Sequence, residues 1–546
     1  MGIKGAEVLA TELKRQGVDW VSTLCGNGLF PFYSACTKAG VRLIDFRNEQ
    51  GAAYMADAYA RLTGRVGVCA VSSGVAHCNA LTGVANAFFD GAPLVLITGA
   101  SPGYGGGRGV FQEFDQVALA APLCKYASVV DKAEDLLFKV RQAFAAVRSG
   151  RPGPAHITVT EDALSGEAGE VDAHAPAEGG AVLGEASRGQ IRRTLKLISE
   201  ARSPILVAGS NLFYSGDVSS MIQFCEAAFI PMVVPIWDRG VIDRPHPNYM
   251  GVVGAASGEP RLLQDADLAI LAGARVDYRV GFLKPPAVRE DLRIIRVDID
   301  PGQISQGVTP TVGILGNPGA VFTQLLRGLE EAGRPSPDRL EEAQRRRRLF
   351  RSGMTGPATR GGVMTGKDIV EALLSLIGED DVFLIDGGNI GQWVHMLADR
   401  YPRTWLTCGA SGVVGFGLPG AMGARAAYPE RRVLLLSGDG AFGFTLGEVE
   451  SASRQGFRFV AVVAVDEAWG IVVSTQRRSL GEEGVIASRL AGRLGVRYDR
   501  VAQALGAEGA YAETPQQLRE AVIRGFQEDK PTVVHVPIQL GGPADR

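Results

Sequence analysis

Short apolar segments alternating with stretches of helical spacing recur three times along this chain, and that rhythm limits it to layered α/β domains. Near the N-terminus EVLATELKRQG is an amphipathic helix, VSTLCG, RLIDFR, VGVCAVS and PLVLITG are strands, and a helix is predicted from Glu49 to about Leu62. Continuous apolar strands are buried on both faces, and strands that alternate with helices pair in parallel. A second block carries PILVAGS, PMVVP, DLAILAGA and RIIRVDIDP; a third carries VFLID, RVLLLSGDG, FVAVVAVD and TVVHVPI. Between the first two lies 165–187, rich in Gly, Ala and acid and without periodicity, which is expected to be a linker. The second connection contains one charged helix, where Glu341 and Glu342 stand four residues before Arg345 and Arg346, so a solvated face is expected there and not a basic patch. The expected fold is α/β, with three doubly wound parallel-sheet domains at 1–165, 188–328 and 366–546.

Composition narrows the function classes. A chain of 546 residues exceeds one core and suits three to four domains. A net charge of -3 gives no general attraction to nucleic acid or acidic membranes. Seven cysteines without a C-x-x-C spacing fit reduced thiols, and no apolar run approaches the ~20 residues of a membrane helix. MGIKGAEVLATELKRQGVDW has no continuous apolar core, so it is expected to be a first helix and not a signal peptide. The expected location is cytoplasmic.

The stretch LLLSGDGAFGFTLGEVESASRQGFRFVAVVAVDEAWGI carries the most chemistry. A buried strand, Val433 to Leu436, runs into Gly438, Asp439 and Gly440, then a helix, then a second strand ending at Asp466. Both acids therefore fall at strand C-termini, where open α/β sheets bind ligands. Glycines beside Asp439 let backbone amides approach a phosphate, and paired carboxylates suit a hard cation bridging it. For the tripeptide alone, an ordinary acidic turn is an equal alternative.

Gly-Asp-Gly followed after 25 residues by a polar side chain at the end of the next strand resembles the metal-diphosphate motif of thiamin-diphosphate-dependent enzymes. RNEQGAAYMADAYARLTG, RGVFQEFDQVALAAPLCKYA, GARVDYRVGF and SGVVGFGLPGAMGA resemble successive landmarks of the acetohydroxyacid (acetolactate) synthase-like branch, while AFGF at 441–444 is also similar to the 2-hydroxyacyl-CoA lyase and oxalyl-CoA decarboxylase branch. The resemblance implies a pyrimidine-binding, a central and a diphosphate-binding domain. It further implies thiamin diphosphate and Mg2+ held between the first domain of one subunit and the third of another, hence a homodimer or homotetramer.

Residue by residue, the resemblance makes Glu49 the carboxyl group that bonds N1' of the aminopyrimidine. Asp439 is expected to bind the metal, with Asp466 in a position normally asparagine and the Ala468 carbonyl as further ligands. Gly438, Gly440, Ala441, Gly470 and Ile471 are expected along the diphosphate. Gly412 is expected to offer its carbonyl to the pyrimidine, Val414 to prop the cofactor, and Asn389 to reach the diphosphate. Gln112 and Lys125 are expected on or near the loop SPGYGGGRGVFQEF around the reacting atoms, with a solvated lysine as the alternative for Lys125. The loop at Gly26, Asn27 and Gly28 and the turn Gly74, Val75 and Ala76 depart from the branch's glycine-proline patterns, and the second departure is expected to bring His77 and Cys78 toward the active side.

The reaction implied is C–C bond formation or cleavage next to a carbonyl, led by carboligation of 2-oxoacids. Val472 stands where simple decarboxylases carry a glutamate, which favours transfer over release of a free aldehyde, and Arg279 stands where the branch holds an acceptor carboxylate, with a structural ion pair as an equal alternative. Thr475 replaces a tryptophan typical of the synthases. The alternatives are a lyase or decarboxylase acting on an acyl-CoA and a non-catalytic cofactor-binding protein. For the central domain, FAD, ADP and an empty cleft remain open.

Overall fold

Parallel pairing satisfies every interior strand on both edges, so each domain closes only when helices cover both faces of its sheet. The computed structural model describes residues 2–103, 107–169, 184–214, 218–238, 241–242, 246–254, 261–332, 336–353, 362–397, 404–492 and 495–543. Its strands form three six-stranded sheets, and the strand pairs are parallel.

The first sheet contains β1 (Trp20–Leu24), β2 (Arg42–Asp45), β3 (Gly67–Val71), β4 (Leu94–Ala100), β5 (Tyr126–Val130) and β6 (Ala155–Thr160), ordered β2-β1-β3-β4-β6-β5. The second contains β7 (Pro204–Ala208), β8 (Met232–Pro235), β9 (Tyr249–Val253), β10 (Leu268–Ala272), β11 (Arg293–Asp298) and β12 (Val312–Leu315), ordered β12-β11-β10-β7-β8-β9. The third contains β13 (Val382–Ile385), β14 (Thr404–Thr407), β15 (Val433–Gly438), β16 (Val460–Val465), β17 (Glu508–Tyr511) and β18 (Thr532–Pro537), ordered β14-β13-β15-β16-β18-β17. The first and third orders are the same. The central order is that of doubly wound nucleotide-binding sheets.

One helix, Glu49–Thr63, joins the first domain to the third. Asn48 caps it by accepting from the Gln50 amide, and Gly64 ends it in the left-handed region at φ 71. Almost all of its residues from Gly51 on are buried, and one apolar core runs through it from Leu94 and Leu96 to Leu418, Met422 and Leu435. Close approach requires glycine on both flanks. A Cβ on Gly83 of helix Val75–Asp90 would lie 2.4 Å from that of Ala53, and one on Gly423 of helix Gly417–Ala427 would lie 2.8 Å from the Met55 carbonyl oxygen.

The linker expected at 165–187 falls mostly on 170–183, outside the described residues. The charged helix is Asp338–Gly353, with pairings other than those expected. Arg345 pairs with Glu342, Arg346 reaches Asp265 of the central domain at 2.8 Å, and Arg347 is buried beside Gly251. The helix is thus partly a strap on the central domain. Among the described residues no helix is long and apolar enough to cross a membrane.

Gly423→Val should destabilise the protein by about 1–3 kcal/mol, because the branched side chain meets backbone and not a flexible neighbour. Urea unfolding checks this. An unchanged midpoint would mean that helices Glu49–Thr63 and Gly417–Ala427 are not packed this tightly.

Candidate active site

A cavity of about 300 Å³ opens at the C-terminal ends of β13, β15 and β16. It lies where the strand order reverses between β13 and β15, the place where parallel sheets receive ligands. Three helices begin at its wall: Asn389–Leu397, Asp439–Phe444 and Gly470–Leu480. Each turns the positive end of its dipole toward the cavity, so their convergence suits an anionic group.

Of the residues expected to touch the cofactor, Asn389, Gly412, Val414, Gly438, Asp439, Gly440, Ala441, Asp466, Ala468, Gly470 and Ile471 line this cavity, and so does Val472. Asp439 is buried, and its amide neighbour Gly440 donates back to its carboxylate at 2.9 Å. Asp466 accepts from the Ala468 amide at 3.2 Å. Burial, then the charge of Asp466, pushes Asp439 up to about 7; burial raises Asp466 to about 6. Two desolvated carboxylates so close together suit either a shared proton or a cation. Asn389 adds a buried amide nitrogen with no partner among the described residues. A Cβ on Gly470 would lie 2.6 Å from Asp466 Oδ2 and 2.7 Å from Asn389 Nδ2, so only glycine leaves that wall open. Acid pair, orphaned donor and helix amides together fit a diphosphate bound through a divalent cation.

The opposite wall is a loop gripped by all three domains. Asn86 donates to the Cys408 carbonyl at 3.0 Å and accepts from Ser411, while Asp90 accepts from the Ala410 amide at 3.3 Å. The Tyr278 hydroxyl donates to the Ala410 carbonyl at 2.9 Å. Gly409 has φ 110 and would place a Cβ 2.2 Å from the Asp90 carboxylate. Gly412, at φ 69, and Val414 follow this loop into the cavity, and the Tyr54 hydroxyl donates to the Val414 carbonyl. Beneath it Arg61 lies between Asp57 at 3.5 Å and Asp90 at 3.6 Å, all three fully buried.

Several contributors were not legible as site residues. Asp386, at the end of β13, accepts from the Gly417 amide and Ser437 hydroxyl and so fixes two of the site's turns. The only sequence signal was an acid closing VFLID. Trp469 lies against Gly440, and Trp237 reaches in from the central domain.

Other expected residues lie elsewhere. Glu49 does not line the cavity, and neither does any residue before Trp237. Its carboxylate accepts from Asn79 at 2.9 Å on a surface of the first domain that also exposes Val75 and Phe111. Gln112, at φ 59, accepts from the Ser73 hydroxyl and lines a second cavity with Thr158, Thr160 and Gln116. Lys125 is turned toward carbonyls of its own domain. Its ammonium donates to the Ser149 and Arg151 carbonyls, and burial with the Arg151 charge lowers it to about 8. Arg279 takes part in the ion pair that was its alternative reading. Its guanidinium is buried, bonds Asp277 at 2.8 and 3.0 Å and faces Asp238 at 3.6 Å, and the residue lines a separate cavity beside Tyr278 and Arg261. Burial opposes its charge, but the two aspartates outweigh that and hold it protonated. His77 turns inward with its ring 4.6 Å from His156, against the expectation of an active-side residue, while Cys78 is exposed.

Comparison with known proteins agrees with this geometry. The chain matches the thiamine pyrophosphate enzyme N-terminal TPP binding domain over residues 3–119, the central domain over 191–325 and the C-terminal TPP binding domain over 386–536. It is 30% identical to a probable acetolactate synthase of Mycobacterium bovis, over 97% of this chain and 94% of that one. A probable acetolactate synthase large subunit of Methanococcus aeolicus is 28% identical, over 98% and 92%. A 2-hydroxyacyl-CoA lyase 2 of Bos taurus is 29% identical, over 98% and 90%. Thiamine pyrophosphate is thiamin diphosphate, and with three domain models matched along its length the chain belongs to the thiamin-diphosphate-dependent enzymes, in their acetolactate synthase-like branch.

Proposed function

We propose that this protein joins the acyl part of a 2-oxoacid to a second carbonyl compound, using thiamin diphosphate and Mg2+ held at Asn389, Asp439, Asp466 and Gly470. The observation that carries this reading is the paired acids and helix N-termini at one strand-end cavity. When bound, the cofactor supplies a nucleophilic carbon and an electron sink for making or breaking a bond beside a carbonyl. The protein's own work is binding and proton placement. Asp439, Asp466 and the Ala468 carbonyl hold the cation; the amides at Gly440, Ala441, Gly470 and Ile471 receive the diphosphate; Gly412 and Val414 orient the pyrimidine. Val472 offers no acid to protonate a product, which favours transfer over release.

Glu49 completes the site as the proton carrier at N1', and it is supplied by a second copy of the chain. Support comes from its absence from the cavity of its own chain and from apolar side chains exposed at both surfaces. Val75 is 59% and Phe111 69% exposed near Glu49, while Phe444 is 55% and Leu480 69% exposed on the third domain. The working unit is a homodimer, or a homotetramer built from it. All seven cysteines are free thiols, which fits a reducing compartment such as the cytoplasm.

A 2-hydroxyacyl-CoA substrate is the second reading. It is favoured by Arg279, whose charge is already balanced by Asp238 and Asp277. At the central sheet's strand ends Arg151 bonds Asn211, Asn211 bonds Asp298, and Arg275 repels Arg151. This crevice is where we place an adenosine diphosphate moiety, common to FAD, ADP and coenzyme A.

Purified protein with thiamin diphosphate and Mg2+ should convert 2-oxoacids to ligated hydroxy-oxo products, read by mass spectrometry. Cleavage of 2-hydroxyacyl-CoAs alone would select the second reading. No conversion of either class would overturn both.

The acid pair also sets a pH dependence. Protons held by Asp439 and Asp466 above the ordinary carboxylate range must leave before a cation enters, so Mg2+ affinity should fall as pH drops through about 7 to 6. Without metal the folded state binds more protons than the unfolded one in this window, so stability should decline as pH rises across it. In Asp466→Asn the like charge is gone and the fall in affinity should move to lower pH. Calorimetric titration at several pH values checks this; identical profiles for parent and variant would contradict it.

A further inference from the structure

The carboxylate of Glu49 has two oxygens, and the first domain uses one of them. Asn79 Nδ2 donates to Oε2 at 2.9 Å, while Oε1 accepts nothing from the described residues. Both partners sit on rigid supports. Glu49 opens helix Glu49–Thr63, whose Gln50 bonds the Tyr54 hydroxyl at 2.7 Å, and the Arg47 amide just ahead of it donates to Glu448. Asn79 lies in helix Val75–Asp90, which is pressed against the first helix at Gly83. The start of that second helix is pinned as well. The Gly74 amide donates to Gln116 Oε1 at 2.6 Å, and Gln116 in turn donates to the Thr98 hydroxyl at 3.0 Å and the Gly99 carbonyl at 3.1 Å.

We propose that Asn79 is a positioning residue for proton transfer: its amide fixes the Glu49 carboxylate so that Oε1 alone faces the aminopyrimidine of the cofactor. This rests on the role assigned to Glu49 above. An unrestrained glutamate samples several staggered rotamers, and its two oxygens exchange by rotation about the last bond. One hydrogen bond to a charged group removes that freedom and leaves a single oxygen to carry the proton. A donor is required, since a carboxylate in the same place would repel Glu49.

The test follows exchange of the cofactor C2 proton for deuterium, which needs no substrate, together with cofactor affinity by calorimetry. Asn79→Ala and Asn79→Asp should each slow exchange by about tenfold or more, the weight of one charge-assisted hydrogen bond. Cofactor Kd should stay within about twofold, since Asn79 touches neither diphosphate nor cation. Adding Asn79→Ala to Glu49→Gln should slow exchange no further than Glu49→Gln alone. Unchanged exchange in both Asn79 variants, or a loss matched by weaker cofactor binding, overturns the inference. If Glu49→Gln itself exchanges as fast as the parent, the failure lies in the role given to Glu49.

Discussion

Two carboxylates buried side by side repel each other, and the arrangement persists only with a proton or a cation between them. Asp439 and Asp466 are held in that state by the fold, each at the end of its own strand in a sheet whose order reverses beside them. The cavity, the helix starts that face it and the glycines that keep its wall open all follow from this placement. Asp466 adds a carboxylate where the pattern this chain resembles has a neutral asparagine, and its charge raises Asp439.

A second constraint is the helix Glu49–Thr63. It carries the proton-relay candidate at its first residue and packs its length against the third domain, so that candidate and the loop bearing Gly412 and Val414 share one framework. The buried Arg61, Asp57 and Asp90 belong to that framework. Removing one member would leave an uncompensated buried charge, a far larger penalty than loss of a surface pair.

Much of this was legible in the sequence. Strands in sheet interiors announced themselves as apolar runs, and Gly-Asp-Gly with Asp466 marked the cavity before any coordinates. The strands that escaped notice have physical reasons. β5, β9, β12, β14 and β17 are sheet edges of four or five residues, all but β14 in part exposed, and β6 is interior but carries His156, Thr158 and Thr160. Arg279, Lys125 and His77 sat in informative motifs, yet their surroundings come from distant segments. Asp238 faces the first, which also bonds Asp277 of its own motif, the Ser149 and Arg151 carbonyls hold the second, and His156 lies against the third. Spacing along the chain carries no record of such partners. Trp237 and Asp90 were hidden for the same reason, as contributions from other domains to a loop of the third.

The central claim is that each site takes its cation ligands from one copy and Glu49 from another. Mixed dimers of a Glu49→Gln chain and an Asp439→Ala chain, each inactive alone, test it most directly, because only exchange between copies puts an intact Glu49 opposite an intact Asp439. Separately tagged chains purified as the mixed dimer should regain catalysis at one of their two sites. A mixed dimer as inactive as either parent would show that Glu49 serves the cavity of its own chain, and would contradict the claim.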